Sequence, residues 1–219
     1  MNVRSIETDY RQTGVTKPLL EVRAAEKDYY RVLKRAADIV ISLMAILLSA
    51  PLVLTVGILI RLESPGSIIY KQIRVGQFGK LFVMYKLRSM RHDSEVGGPR
   101  WAAKDDPRVT RVGRFIRKTR MDEIPQFYNV LIGNMSVVGP RPERPAFTLL
   151  FNQQYPGFIN RLQVKPGITG WAQVNGGYEN NPREKAALDL YYIRNRGLML
   201  DLKILLKTIL VVLSGHGAR

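Results

Sequence analysis

The feature that most constrains the fold is an apolar run at residues 36–60, in which Asp38 is the only charged residue. As a continuous helix the run would extend roughly 37 Å, enough to cross a hydrocarbon core about 30 Å thick. It begins too far from Met1 for a cleavable signal peptide, and no small-residue cleavage site precedes a mature domain. We therefore predict a membrane-embedded helix at this position.

Pro51 lies inside the apolar run. Because proline has no N–H to bond the carbonyl of Leu47, we expect a kink there, and Ser49 is close enough in sequence to bond a freed carbonyl. Basic residues flank both ends of the run, so the charge bias that orients spanning helices does not choose a side. A helix that spans the membrane and one that bends at Pro51 and leaves by the face it entered both remain open.

The composition indicates an anionic partner. The chain has 219 residues, with 34 Lys and Arg against 18 Asp and Glu, and a formal net charge of +16. Such a surplus suits phosphate groups, an anionic lipid surface or nucleic acid. The sequence has no cysteine and only two isolated histidines, which argues against disulfides, a zinc-thiolate site and a His-based triad.

The rest of the chain predicts an α/β domain that is rich in helix. Alternating hydrophobic residues predict short strands at 67–73 and 80–87, separated by turn glycines. Predicted helices lie at 122–131, 146–155, 182–195 and 198–213, and predicted irregular segments at 92–106, 133–144 and 165–178. Residues 1–28 are polar and suit a poorly ordered arm or a short helix. The helix at 198–213 suits either a core or a membrane interface, and its internal charges argue against spanning.

Residues 108–120 show a basic amphipathic pattern. Arg108, Arg111, Arg114 and Arg117 recur at spacing three with hydrophobic residues between them. The natural partner of such a helix is an anionic membrane surface, so we predict an interfacial helix. A solvated basic face would show the same pattern.

Two adjacent carboxylates stand in the motif TRMDEIPQ. Asp122 is a favoured helix N-cap, and Pro125 is tolerated in a first turn, so Asp122 and Glu123 are predicted at the N-terminus of a helix. The free N–H groups there favour anions, and Asp122 would stay ionised, as a nucleophile or metal ligand must. A plain capping pair on a surface helix would look the same.

Several cationic and polar residues suit phosphate chemistry. Lys86 and Arg88 alternate at the end of a predicted strand, so both can face one side. Arg141 stands between two prolines, which limits its backbone freedom and suits bidentate contact with phosphate. Asp189 could orient an arginine or a sugar. Each signal is weak alone.

Five segments follow one another in a specific order: the apolar run with Pro51, SPGSIIYKQIRVGQFGKLFVMYKLRSM, RKTRMDEIPQFYNVLIGNMSVVGPRPE, VKPGITGWAQVNG and LDLYYI. In this order they resemble the bacterial sugar transferases, the monotopic polyprenyl-phosphate phosphoglycosyl transferases. Larger members carry extra N-terminal membrane helices and a further domain, so this chain resembles the minimal catalytic form. The resemblance covers nearly all of the sequence after residue 30.

The resemblance implies a topology. In that family the membrane helix is re-entrant, breaks at a Ser-Pro pair and has both ends on the cytoplasmic face of the bacterial inner membrane. Here Ala50 separates Ser49 from Pro51, the residues we assign to the break. The implied organisation is a polar arm at 1–28, a re-entrant helix-break-helix at 29–62 and a cytoplasmic catalytic domain at 63–219.

The resemblance also implies a reaction. Asp122 would attack the β-phosphate of a UDP-sugar, expel UMP and form an aspartyl phosphosugar, which undecaprenyl phosphate would accept. The product would begin polysaccharide or glycoconjugate synthesis. Mg²⁺ would be required, held by Asp122 and Glu123. The residues expected to bind phosphate or substrate, or to support the site, are Lys86, Arg88, Gln126, Arg141 and Asp189.

Two other functions remain open. One is a basic, non-enzymatic protein that binds a membrane surface or nucleic acid, whereas the resemblance implies membrane lipids and no nucleic acid. The other is a multi-spanning transferase without a covalent intermediate, which needs several spanning helices where this sequence offers one apolar run. The sugar stays open, as does the oligomeric state, with a dimer as one option.

Overall fold

The computed structural model describes residues 28–91, 94, 106–176 and 181–214. The predicted polar arm and nearly all of the predicted loop at 92–106 lie outside the described residues. The apolar run lies in a 36-residue helix, α1 (Asp28–Glu63). Among the described residues, α1 alone is long and apolar enough to cross a membrane.

Pro51 does not end α1, which is helical on both sides of this residue. Ser49 Oγ donates to the carbonyl of Ala45 at 2.5 Å, so it bonds a carbonyl of its own helix one turn earlier. Large apolar side chains in the middle of α1 face outward, with Leu47 72% and Leu48 77% exposed. A helix that exposes this much apolar surface needs an apolar environment.

A hairpin and two helices follow α1. Strands β1 (Ile69–Val75) and β2 (Leu81–Leu87) pair antiparallel, close to the predicted strands. Thr110 caps helix α2 (Arg111–Lys118), the centre of the predicted basic helix, by accepting from the N–H of Gly113. A 3₁₀ turn (Met121–Glu123) then precedes helix α3 (Gln126–Leu131).

The described residues of the C-terminal half form a two-stranded parallel sheet and four α-helices. Strands β3 (Ser136–Val138) and β4 (Gly167–Thr169) pair in parallel inside segments that were predicted to be irregular. The backbones approach so closely that a Cβ on Gly167 would overlap backbone atoms of Gly139. The helices are α4 (Pro145–Gln154), α5 (Trp171–Val174), α6 (Pro182–Asn195) and α7 (Leu198–Ser214).

Both ends of α1 pack against this domain. Near its C-terminal end, Val56 and Ile60 are buried with Leu87 and Ile116, each such side chain contributing about 1.5–3 kcal/mol. Near its N-terminal end, Tyr30 donates to Asp201 of α7 at 3.0 Å. The main core lies between the hairpin, α3, β3, α6 and α7, and its fully buried members include Val130, Met135, Ile193 and Ile204.

Candidate active site

Glu123 is the centre of a buried ion cluster. Lys86 Nζ lies 3.0 Å from Glu123 Oε1, and Arg141 donates through NH1 to Oε2 at 3.2 Å and through NH2 to Oε1. Burial raises the pKa of Glu123, but Arg141 and Lys86 outweigh it and hold that pKa well below its usual range. Glu123 is therefore an ionised anchor for two cations.

Asp122 is the less stabilised carboxylate of the pair. It is 9% exposed, and its Oδ2 lies 3.8 Å from Lys86 Nζ. Burial raises the pKa of Asp122, Lys86 opposes this, and the neighbouring charge of Glu123 adds to the rise. A carboxylate that is only loosely paired and poorly solvated is a reactive group, because its charge is not satisfied by strong hydrogen bonds.

The prediction that Asp122 caps a helix at 122–131 is wrong. Asp122 and Glu123 lie in the 3₁₀ turn, and α3 begins only at Gln126, with Pro125 as its N-cap. Arg120, at φ 57°, reverses the chain before this turn, and its carbonyl accepts from the N–H of Glu123 at 3.1 Å. The polarity of the site is therefore set by Lys86 and Arg141, not by a helix N-terminus.

Arg141 follows β3, and its backbone carbonyl is fixed by a hydrogen bond from Arg161. Arg161 donates through NH2 to the carbonyl of Arg141 at 2.8 Å, and its Nε and NH2 lie 2.8 and 2.6 Å from Asp189 Oδ2. Asp189 thus orients an arginine, one of the two roles suggested for it, and acts on Arg141 through Arg161. Arg161 was not among the predicted site residues, because its 3₁₀ segment (Phe158–Gln163) carries no local signal.

A second buried ion cluster surrounds Glu143, which lies two residues beyond Arg141. Lys185 pairs with it, and Arg74 NH1 and Arg161 NH1 lie 3.7 and 3.9 Å from its oxygens. Burial raises the pKa of Glu143, but Lys185, Arg161 and Arg74 together lower it to about 2. This cluster was not predicted from the sequence, and it fixes the loop that carries Arg141.

Arg88 and Gln126, two of the residues predicted to bind phosphate or substrate, do not contact the carboxylate pair through any hydrogen bond between described residues. Arg88 donates to the carbonyls of Ser64 and Pro65 at 2.5 and 2.6 Å, just beyond the end of α1. In this arrangement Arg88 holds the end of α1, and its contacts are with backbone carbonyls there. Gln126 is 1% exposed, and neither atom of its side-chain amide has a hydrogen-bond partner among the described residues.

The site offers one carboxylate to a divalent cation. Within the described ranges no cluster of three or more His, Cys, Asp or Glu side chains occurs. Both Glu123 oxygens accept from Lys86 or Arg141, whereas among the described residues Asp122 has only the longer contact to Lys86. Mg²⁺ commonly binds one or two carboxylates together with substrate phosphates, so Asp122 and a bound diphosphate fit this ion.

This geometry defines a class: an α/β domain on an apolar helix, with a carboxylate pair and fixed cations suited to phosphate chemistry. Comparison with known proteins gives the family. The bacterial sugar transferase profile matches residues 29–215, and the chain belongs to this family.

Three relatives illustrate the similarity. The chain is 48% identical over 193 residues to an Aeromonas hydrophila UDP-N-acetylgalactosamine-undecaprenyl-phosphate N-acetylgalactosaminephosphotransferase, covering 87% of this chain and 46% of the relative. It is 44% identical over 184 residues to the Escherichia coli K12 UDP-glucose:undecaprenyl-phosphate glucose-1-phosphate transferase, covering 82% and 40%. It is 43% identical over 192 residues to the Rhizobium leguminosarum exopolysaccharide production protein PSS, covering 84% and 96%. The chain thus matches less than half the length of the first two relatives.

Proposed function

We propose that this chain is a phosphoglycosyl transferase that moves a sugar 1-phosphate from a UDP-sugar to undecaprenyl phosphate. The observation that carries the proposal is the buried pair Asp122 and Glu123, held against Lys86 and Arg141. Such cations stabilise the charge on a transferring phosphoryl group. The names of the Aeromonas and Escherichia relatives describe the same class of reaction.

The proposed reaction has two steps. An Asp122 carboxylate oxygen attacks the β-phosphorus, the bond from that phosphorus to the bridging oxygen breaks, and UMP leaves with the bridging oxygen. A phosphate oxygen of undecaprenyl phosphate then attacks the same phosphorus, which releases the Asp122 carboxylate and yields undecaprenyl-diphospho-sugar. A covalent intermediate lets one site serve two phosphorylated substrates in turn.

The residues around Asp122 have distinct roles in this proposal. Glu123 holds Lys86 and Arg141 in fixed positions, so neither cation has to reorganise as charge develops on the phosphate. Asp122 would hold Mg²⁺ together with the diphosphate, and the ion would supply further charge neutralisation. Asp189 and Arg161 support the backbone of Arg141.

We further propose that α1 is re-entrant, with Ser49 and Pro51 at the bend in the membrane, and that the catalytic domain lies on the cytoplasmic face of the inner membrane. This topology is supported by the two ends of α1, which both contact one domain. Lys34 Nζ lies 2.7 Å from Asp201, and Glu63 accepts from the N–H groups of Arg111 and Val112 at 2.6 and 2.9 Å. A domain that contacts both ends cannot lie on two sides of a bilayer.

The topology can be tested by labelling single cysteines, because the chain has none of its own. Single cysteines placed near Arg31 and near Gly66 should both react with an impermeant reagent in inside-out vesicles, and neither should react in sealed right-side-out vesicles. Reaction from opposite faces would refute the re-entrant helix.

The activity can be tested in nanodiscs that contain undecaprenyl phosphate. UMP release should occur with one or more UDP-sugars, and UDP-N-acetylgalactosamine and UDP-glucose are the first donors to test because they appear in the relatives' names. Under single-turnover conditions without acceptor, label from the phosphosugar should remain on the wild-type protein and not on Asp122→Asn. Turnover without any labelled protein would refute the covalent route, and absence of UMP release with all donors would refute the transferase.

A further inference from the structure

We infer that the membrane helix sets the geometry of the candidate active site through two polar residues of α1, Asp38 and Arg35. Each bonds one of the two segments that flank the catalytic ion pair: Asp38 bonds β3, which leads to Arg141, and Arg35 bonds α3, which follows Glu123. The inference deepens the proposed function and rests on it, because it assigns positioning residues to that reaction.

Asp38 holds β3 directly. Its Oδ1 accepts from the backbone N–H of Val137 at 2.9 Å and from Ser136 Oγ at 3.0 Å, and the residue is 5% exposed. Burial and the charge of Arg35 lower the pKa of Lys165, and the nearby charge of Asp38 opposes this shift. A buried carboxylate is costly, and hydrogen bonds to a charged group are about twice as strong as neutral ones. A carboxylate at this position therefore ties β3 firmly to the membrane helix.

Arg35 holds the other segment. Its NH1 and NH2 donate to the carbonyls of Val130 and Leu131 at 2.7 and 2.8 Å. These carbonyls lie in the last turn of α3, where a cation interacts favourably with the helix dipole, and the carbonyl of Val130 also accepts from the N–H of Gly133 at 3.0 Å. Because α3 begins three residues after Glu123, this contact fixes the helix that follows the carboxylate pair.

The two contacts act together because Arg35 and Asp38 are three residues apart and lie on one face of α1. A rotation or shift of α1 would move β3 and α3, and would change the distance between Arg141 and Glu123. An error of about 1 Å in catalytic geometry can reduce a rate by about a hundredfold. The position of α1 in the bilayer is thus coupled to the distance between Arg141 and Glu123.

The test compares Asp38→Leu with Ser42→Ala in nanodiscs. Ser42 is a matched control because it is fully buried one turn further along α1, and its hydroxyl has no hydrogen-bond partner among the described residues. Leucine favours insertion of α1 while removing the contact to β3. We expect Asp38→Leu to slow formation of the labelled intermediate by about tenfold or more, Ser42→Ala to change it less than about twofold, and Asp38→Asn, which keeps an acceptor, to recover part of the rate.

A double-mutant cycle with Arg141 separates positioning from general stability. If Asp38 acts through the placement of Arg141, Asp38→Leu should have little further effect on the intermediate in an Arg141→Gln background. Fully additive effects on that rate, or equal rates for Asp38→Leu and Ser42→Ala, would overturn the inference.

Hydrogen exchange gives a readout that does not depend on activity. In Asp38→Leu, amides should exchange faster both at 136–138 and at 139–144, the segment that carries Arg141, whereas Ser42→Ala should leave both unchanged. Faster exchange confined to 136–138 would overturn the inference even if the enzyme is active. Absence of UMP release in the wild type would instead refute the proposed function, so the two failures are distinguishable.

Discussion

Asp189 and Arg161 form a buried pair behind the active site: Asp189 Oδ2 accepts from both Nε and NH2 of Arg161, and the two side chains are each 2% exposed. Removal of one member leaves the other charge buried. Asp189→Ala should therefore reduce the free energy of unfolding by about 3–5 kcal/mol, measured by thermal or denaturant unfolding in detergent. Asp28→Ala, which breaks an exposed ion pair with Arg31, should change stability by less than about 1 kcal/mol. Equal stability of the two variants would mean that Glu143 takes over as the partner of Arg161.

Glu123→Gln should lower activity and shift its pH dependence. Burial raises the pKa of Asp122, the charge of Glu123 adds to this rise, and in the proposed reaction Asp122 attacks in its ionised form. The variant removes that charge and the anchor of Lys86 and Arg141, so we expect a loss of about a hundredfold in intermediate formation. The acidic limb of the pH profile should move to lower pH, since the pKa of Asp122 falls. A limb that moves upward, or does not move, would contradict this assignment.

Glu143 should make stability depend on acid pH. Its pKa is lowered from 4.5 to about 2 in the folded protein, so it stabilises the fold above the unfolded-state pKa, and this stabilisation is lost as the pH falls from about 4.5 towards 2. The full contribution is about 3 kcal/mol by linkage. Glu143→Gln should flatten the fall in unfolding free energy between pH 5 and pH 3 by part of this amount, as measured by denaturant titrations. An unchanged slope would show that other groups carry the acid sensitivity.

The close contact between Gly167 of β4 and Gly139, which follows β3, should not tolerate an added methyl group. A Cβ on Gly167 would overlap backbone nitrogen and oxygen of Gly139, which cannot move aside as a flexible side chain can. We expect Gly167→Ala to destabilise the protein by more than about 2 kcal/mol. Gly197→Ala is the control, because nothing lies within 4 Å of its added Cβ. A normal melting temperature for Gly167→Ala would indicate that the sheet can separate at little cost.

The elements with local signals were predictable. Alternation placed the hairpin strands within two residues of their observed bounds, and the helix predicted at 182–195 matches α6. Strands β3 and β4 were missed because each has three residues and its partner lies some thirty residues away. Short strands of this kind are stabilised by tertiary packing, which no local pattern records.

The site was predictable only in part, for a related reason. Asp122, Glu123, Lys86 and Arg141 stand in motifs that matched a known family, and the structure brings all four together. The role of Arg161 depends on Asp189, 28 residues away, so its own segment gives no indication of it. Lys86 and Arg88, at the end of β2, were both expected to bind phosphate. In the structure Lys86 contacts Glu123, whereas Arg88 contacts backbone carbonyls near the end of α1.

Because Lys86 and Arg88 contact different partners, the end of β2 fixes the distance between the carboxylate pair and the end of α1. Arg88 donates to carbonyls just beyond the end of α1, and Lys86 contacts the carboxylate pair. The two residues are two positions apart, so their Cα atoms are about 7 Å apart along an extended chain. In the proposed topology the reacting carboxylate would thus be held at a constant height above the point where the helix leaves the lipid. A long-chain acceptor could then present its phosphate while its hydrocarbon tail stays dissolved in the bilayer, and no part of that tail would have to be extracted into water.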